Sequence, residues 1–182
     1  FQNFGKPGSI VASIPPGSGM IIMATDSVAI FNNRIFNNKT VGVATVSYFM
    51  TGKQLNDSTY GPYCTAINIH DNKFDRSGLS LTERVPDLST DLGKLLSISF
   101  KSGIDILVDG SSDPKIRDKN GQVPEDKRIC IRKNGEVKFG NLNVWKAHGR
   151  KDIMDYKDND ISKFDCTIAG IPGNNQNPTT AK

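Results

Sequence analysis

A group of polar and charged side chains between residues 70 and 76 has the composition of an acid–base site. Its members are His70, Asp71, Lys73, Asp75 and Arg76, and Asp105 has the same outward parity on a later segment. A base that removes a proton beside a carboxylate, with Lys or Arg stabilising the resulting charge, can catalyse an elimination or an epimerisation. The alternative is an ordinary solvated surface, since outward positions of a strand must be polar somewhere.

Three tyrosines could form a contact surface. Tyr48, Tyr60 and Tyr63 lie at the base of, or within, a loop that follows an apolar segment. Tyrosine combines an apolar ring with a polar tip, which suits contacts with sugar or protein. The alternative is that the three rings pack beneath the loop. The sequence therefore leaves two roles open for these tyrosines, binding and local packing.

An acidic segment near the C-terminus has enough carboxylates for Ca2+. The candidate ligands are Asp155, Asp158 and Asp160. The segment lacks the Gly and terminal Glu of an EF-hand loop, so a solvated acidic loop is the alternative. With two His residues and no CxxC pair, the chain does not have the usual pattern of a zinc or haem site. We expect no resident cofactor, with Ca2+ as the one alternative.

Composition restricts the class of protein. The 182 residues include 36% apolar residues and 17 Gly, with 23 Lys and Arg against 19 Asp and Glu. No run approaches the roughly 18 consecutive apolar residues of a membrane-spanning helix. The net charge of +4 is spread along the chain, whereas nucleic-acid-binding proteins cluster their basic residues. We therefore expect a globular protein with no transmembrane segment and no nucleic-acid partner.

An internal repeat carries the strongest structural signal. Residues 30–38 and 69–77 share an Ile-x-x-Asn pattern displaced by 39 residues, and residues 131–134 repeat its first half. Apolar residues at alternate positions point into one core, and Asn tolerates the left-handed backbone needed at a corner. The repeat predicts stacked short strands whose corner asparagines form a hydrogen-bonded ladder. The asparagines of this ladder are Asn33, Asn72 and Asn134.

These strings, together with the segment from Gly19 to Val43, resemble the right-handed parallel β-helix repeats of the pectate-lyase-like superfamily. The closest resemblance is to uncharacterised bacterial cell-envelope β-helix repeat proteins. It implies an all-β fold, a right-handed parallel β-helix with long inserted loops that forms the C-terminal coils of a longer solenoid. The coils would occupy residues 1–145, and residues 146–182 would be a capping segment and extended tail. A β-sandwich of short strands is the alternative.

The chain begins in the middle of a repeat unit. Residues 1–4 align with residues 35–38, so strands would precede them in a complete stack. An uncovered first coil exposes unpaired backbone groups. We expect an N-terminal fragment of the same protein or another chain to cover it, and the alternative is that residues 1–18 form a cap of their own.

The pairing of the three cysteines is informative about the cellular compartment of the protein. If Ile129 and Ile131 face inward, Cys130 faces outward, where the tail that carries Cys166 could reach it. Three free thiols are the alternative, and the count alone leaves the state of Cys64 open. The resemblance favours a Cys130–Cys166 disulfide, because the similar proteins are exported. It implies a location in the periplasm, at the outer membrane or outside the cell.

These observations lead to one functional expectation and one rival. The first is a non-catalytic structural or interaction module of the cell envelope, which docks on a protein partner or on its own N-terminal coils. The resemblance also suggests a partner assembly that contains a c-type cytochrome. The rival is a carbohydrate-active protein, a polysaccharide lyase or epimerase that binds a glycan and whose site lies mainly outside this sequence.

Overall fold

Short apolar segments bounded by Gly and Asn form the strands of the computed structural model, which describes residues 5–80, 88, 91–146 and 153–170. The strands in these residues are β1 (Ser18–Met23), β2 (Asp26–Phe31), β3 (Arg34–Phe36), β4 (Val41–Val46), β5 (Thr65–His70), β6 (Lys73–Asp75), β7 (Ile104–Val108), β8 (Ile129–Arg132) and β9 (Phe139–Asn141). The predictions for residues 1–4, His148 and the tail 171–182 lie outside the described residues.

The strands form three separate parallel sheets. Their orders are β1-β4-β7-β9, β2-β5-β8 and β3-β6. Val28 lies opposite Ile67, and Ile35 lies opposite Phe74, so the 39-residue displacement of the sequence repeat is the register of two of the strand pairs. The repeat spacing therefore determines which residues become neighbours across the strands.

The prediction of an all-β right-handed parallel β-helix, made of the C-terminal coils of a longer solenoid, is wrong. The chain has α/β character, with its strands in three small parallel sheets beside helices. The helices are α1 (Asp91–Phe100), α2 (Ile153–Tyr156) and 3-10 helices at Val11–Ser13, Tyr48–Thr51, Pro114–Ile116, Glu125–Lys127, Val144–Lys146 and Ile161–Phe164. The physical reason is that the segments between strands satisfy their backbone groups and bury apolar side chains by folding into helical turns.

The main core lies among the three sheets. Ile30, Ile67 and Ile69 are buried there with Ile106 and Ile131. These side chains come from alternate positions of their strands, which agrees with the period of two in the sequence. Their burial is the principal stabilising contribution of the repeat.

A second core covers the other face of the four-stranded sheet. Leu96 of α1 is buried against Val41, Ile104 and Leu107. All six residues of β4 are buried, because this strand has apolar neighbours on both faces. No helix in the described residues has the length and apolar character needed to cross a membrane.

Candidate functional site

The repeat asparagines are hydrogen-bonded to one another. The backbone N–H and Nδ2 of Asn33 donate to Oδ1 of Asn72 at 3.0 and 3.1 Å. The same two groups of Asn72 donate to Oδ1 of Asn134 at 3.0 and 3.1 Å. Each inner amide oxygen therefore accepts two hydrogen bonds from the preceding asparagine.

The corner geometry differs from the expectation in one detail. The left-handed backbone belongs to the residue before each asparagine, with φ of 56° at Asn32, 52° at Asp71 and 51° at Lys133. The asparagines themselves are free to direct their side chains along the stack. Nδ2 of Asn72 also reaches the carbonyl of Ile30 at 2.8 Å, which ties successive strands together.

The first three strands form what we call the open edge, residues 18–36. Each of β1, β2 and β3 is the terminal strand of its sheet, and no strand in the described residues pairs with its other side. Successive residues of a strand direct their backbone groups to opposite sides. Because the carbonyl of Ile30 points toward Asn72, the N–H groups of Ala29 and Phe31 point to the open side.

The opposite end of the stack is covered. The 3-10 helix Ile161–Phe164 contacts β8, and an antiparallel bridge joins Asn141 at the end of β9 to Asp158. The rings of Phe139 and Phe164 lie 5.0 Å apart. The two ends of the sheets therefore differ, because β8 and β9 have non-strand segments against them.

Two phenylalanines are exposed on the open edge. Phe31 is 37% and Phe36 is 40% exposed. The ring of Phe31 stacks on His70 with centroids 5.2 Å apart and planes 1° apart. The guanidinium of Arg34 lies 4.7 Å from the ring centre of Phe36. The open edge therefore presents apolar rings as well as backbone N–H groups that no strand of the described residues pairs with.

Two of the predicted catalytic residues, His70 and Asp71, form a pair at the end of β5, in which His70 is buried and Asp71 is exposed. Nδ1 of His70 lies 2.6 Å from Oδ2 of Asp71, and His70 is 1% exposed. The hydrogen bond from His70 lowers the pKa of the Asp71 carboxyl. Nε2 of His70 is buried without a hydrogen-bond partner, so this ring is not presented to solvent as an acid or base.

A second pair, Arg76 and Asp105, joins the segment after β6 to β7. Nε of Arg76 is 3.1 Å from Oδ1 of Asp105, and both side chains are largely buried. Oδ2 of Asp105 accepts a hydrogen bond from the backbone N–H of Lys138 at 2.7 Å. Burial, followed by the charge of Arg76, lowers the pKa of Lys138. These contacts join β7 to neighbouring segments, which is a structural role.

Lys73 and Asp75 belong to neither pair. Lys73 is exposed at the start of β6, and Oδ1 of Asp75 accepts the backbone N–H of Ser77 at 2.7 Å in a local turn. The six predicted catalytic residues thus include one hydrogen-bonded pair, His70 with Asp71, and one ion pair, Arg76 with Asp105. Three clefts in the described residues are lined by other side chains.

The predicted tyrosines separate into two environments. Tyr48 and Tyr60 pack edge to face with centroids 5.7 Å apart. Tyr63 instead lines a cleft of about 300 Å³ with Phe49, Arg117 and Trp145. Burial raises the pKa of Tyr63, with a further contribution from Asp113.

Two cations lie near the Trp145 ring of the aromatic cleft, and Arg117 is the one that lines the cleft, while Lys146 Nζ lies 5.2 Å from the ring centre. The guanidinium of Arg117 lies 4.5 Å from the ring centre of Trp145, and its Nε donates to Ser112 Oγ at 2.8 Å. Phe49 and Trp145 are each about half exposed. Sequence reasoning missed Trp145 and Arg117 because they come from segments far from the tyrosines, and only the single tryptophan in the composition could have drawn attention to this position.

The acidic segment uses its carboxylates internally. Lys163 pairs with Asp158, and this hydrogen bond lowers the pKa of the Asp158 carboxyl. Asp160 caps the 3-10 helix by accepting the N–H of Ser162 at 3.1 Å, and Asp155 lies on α2. Among the described residues no group of three His, Cys, Asp or Glu side chains is arranged to hold a metal ion.

A disulfide joins Cys130 to Cys166, with the two Cα atoms 5.0 Å apart. Cys130 faces away from the main core, but Ile168 and Cys166 cover it, so it is fully buried. The third cysteine, Cys64, is a buried free thiol whose pKa is raised by that burial.

Comparisons with known proteins found no matching family model, no matching curated protein and no matching solved structure. The resemblance to pectate-lyase-like repeat proteins therefore stays a prediction from the sequence.

Proposed function

We propose that this chain is a non-catalytic interaction module whose open edge is completed by strands of a separate protein. The observation that carries the proposal is the asymmetry of the sheets. Within the described residues, β1, β2 and β3 lack a strand neighbour on one side. In contrast, the 3-10 helix Ile161–Phe164 lies against β8, and Asp158 bridges to β9. Exposed edges of this kind are natural sites for strand addition by a partner.

The side chains of the open edge support a protein as the occupant. β1 has the sequence SGMIIM, with no charged residue to discourage pairing. Met20, Ile22 and Val28 pack against the main core but are only partly buried. A parallel strand placed beside them would satisfy backbone donors and bury this apolar area in one step.

The predicted catalytic residues support a non-catalytic role. His70 is buried beside Asp71, and Arg76 is paired with Asp105 on another sheet. A general base must reach its substrate within hydrogen-bonding distance. Neither pair opens into one of the three clefts, so the contacts of these groups fit a structural role better than proton transfer.

A peptide with the sequence of residues 65–77 is a suitable probe of the open edge, because this segment already pairs with β2 and β3 from their other side. On titration into the labelled protein, we expect slower amide exchange at Ala29 and Phe31. Binding should be lost in Ala29→Pro, which removes an edge N–H. Thermal unfolding of that variant checks that it folds, and a peptide with the same composition in scrambled order is the control.

If the amides of the open edge exchange at the same rate with and without the peptide, strand addition at this edge is ruled out. Protection that appears at β8 or β9 instead would also overturn the proposal.

We further propose that the module acts in an oxidising compartment such as the periplasm, the outer-membrane surface or the extracellular space. The Cys130–Cys166 disulfide supports this location, because such bonds persist mainly outside the reducing cytosol.

A second candidate function is contact with an acidic glycan at the aromatic cleft. The observation that favours it is the combination of Phe49, Tyr63 and Trp145 with the cation of Arg117 around one cleft. Aromatic faces suit sugar rings, and a guanidinium suits a carboxylate.

The single tryptophan gives this candidate a direct readout. Addition of a uronic-acid oligosaccharide should change Trp145 fluorescence in a saturable manner. Phe49→Ala should abolish the change, while Tyr60→Ala, outside the cleft, should preserve it. An unsaturable response, or equal responses in the two variants, would remove this candidate.

A further inference from the structure

The asparagine ladder stops at Asn33 with an acceptor unfilled. Oδ1 of Asn72 accepts two hydrogen bonds from Asn33, and Oδ1 of Asn134 accepts two from Asn72. No described residue donates a hydrogen bond to Oδ1 of Asn33, and Asn33 is an exposed residue. A strand added at the open edge would place its own residue of the same register directly against this oxygen.

The direction of the ladder specifies what that residue must offer. Each preceding asparagine supplies two donors, its backbone N–H and its Nδ2, to the oxygen of the next. In return, Nδ2 of Asn72 reaches the carbonyl of Ile30 in the preceding strand. An asparagine in the added strand would supply both donors to Asn33, and its strand would offer the matching carbonyl to Nδ2 of Asn33.

The column of side chains two residues earlier adds a second requirement. Phe31, His70 and Arg132 occupy this register on β2, β5 and β8. All three end in planar groups, and the rings of Phe31 and His70 are parallel at 5.2 Å. The partly exposed ring of Phe31 would accept another planar side chain, since stacked π systems attract one another beyond their area burial.

The column after the asparagines adds a charge requirement. Arg34 lies opposite Lys73 in the register of β3 and β6, and both side chains are exposed. Two like charges facing each other across strands are unfavourable. A carboxylate at the same register of an added strand would relieve this repulsion and supply charge complementarity at the open edge.

We infer that the partner strand of the open edge carries an asparagine in register with Asn33, a planar side chain in register with Phe31 and an acidic residue in register with Arg34. This inference rests on the proposed function, and it makes that function specific. Apolar residues in register with Val28, Ile30 and Ile35 complete the partner pattern. In sequence it reads apolar-x-apolar-planar-x-Asn-acidic-apolar.

A double-mutant cycle tests the asparagine contact, which is the central part of the pattern. The probe is the peptide of residues 65–77 with Lys73→Glu, and the matched control peptide also carries Asn72→Ala. Their dissociation constants are measured by titration of the labelled protein and of its Asn33→Ala variant. We expect the Asn peptide to bind about five- to tenfold more tightly than the Ala peptide. The Asn33→Ala variant should bind the two peptides with about equal dissociation constants.

The charge requirement has its own comparison. The peptide with Lys73→Glu should bind about two- to fivefold more tightly than the unchanged peptide, and the difference should shrink in high salt. Arg34→Gln should abolish the difference while leaving the preference for Asn intact.

The outcomes separate this inference from the proposed function. If both peptides protect the amides of Ala29 and Phe31 equally, strand addition stands and the asparagine contact is overturned. A preference for Asn that persists in Asn33→Ala overturns it as well, because the contact then lies elsewhere. If no peptide protects the open edge, the proposed function and the inference both fall.

Discussion

Asp109 Oδ2 accepts a hydrogen bond from the backbone N–H of Ser47 at 2.6 Å, which joins the turn after β7 to the turn after β4. Oδ1 of the same carboxyl accepts the N–H of Ser111 at 2.9 Å. Asp109 is 2% exposed, and its burial raises the pKa of the carboxyl. The buried Asp109 carboxyl therefore links the first residues of the loops that follow β4 and β7.

The raised pKa of Asp109 predicts a pH dependence of stability. The folded protein binds this proton more tightly than the unfolded chain, in which the carboxyl has the ordinary aspartate pKa of 3.8. The protonated Asp109 carboxyl therefore stabilises the folded state fully at pH values below 3.8, and this stabilisation is lost as pH rises through the pKa of the folded protein. Denaturant unfolding of the wild type and Asp109→Asn should show the wild type losing stability, relative to the variant, as pH rises.

The comparison with Asp109→Asn cancels the other titrating groups, since they are shared by both proteins. A constant stability difference between pH 4 and pH 8 would contradict a raised pKa at Asp109.

The position of an asparagine in the ladder should decide its contribution to stability. Asn72 is 5% exposed and its side chain contacts both neighbouring asparagines, whereas Asn33 is exposed at the open edge. We expect Asn72→Ala to lower the free energy of unfolding by about 2 to 4 kcal/mol, because buried partners lose their hydrogen bonds. Asn33→Ala should cost less than about 1 kcal/mol. Equal losses in urea unfolding would contradict this burial argument.

Removal of the disulfide should destabilise the fold. The bond closes a loop of sequence separation 36 and fixes the segment that covers β8. Cys130→Ala with Cys166→Ala should lower the free energy of unfolding by about 2 to 4 kcal/mol. Reducing agent should lower the melting temperature of the wild type and leave that of the double variant unchanged. A similar effect of the reductant on the double variant would contradict this assignment, because its one remaining cysteine, Cys64, has no second cysteine in the chain to pair with.

Gly42 should not tolerate a side chain. A Cβ at this position would lie 2.6 Å from the carbonyl oxygen of Asp105 and 2.9 Å from the ring of Phe74. Gly42→Ala should therefore destabilise the protein by about 1 to 3 kcal/mol. Gly61→Ala is the matched control, because a Cβ there meets no atom within 4 Å. Similar melting temperatures for the two variants would show that β4 and β7 can separate without cost.

Local patterns accounted for the strand neighbours. The spacing of 39 residues placed Val28 opposite Ile67 and aligned Asn33 with Asn72, because parallel pairing in register brings equivalent residues of a repeat together. The alternation of apolar residues also identified Ile67 and Ile69 as inward-facing core positions. The strand register and the inward-facing positions could be predicted because they involve residues whose separation along the sequence equals the repeat spacing.

The fold class could not be read from the same pattern. The sequence suggested an all-β protein because the strand repeat was the strongest periodic signal. Whether the intervening segments became helices depended on apolar surface that only the assembled sheets provide, as the burial of Leu96 against Ile104 shows. Helix propensity over a short segment is a weak signal compared with such packing.

The sequence by itself determined the register of the repeat and the positions of its corner asparagines. Tertiary structure alone decided that His70 is buried, that Arg76 pairs with Asp105 and that Trp145 joins Phe49 in a cleft. The physical reason is that backbone pairing follows local periodicity, whereas burial and charge pairing depend on which distant segments meet.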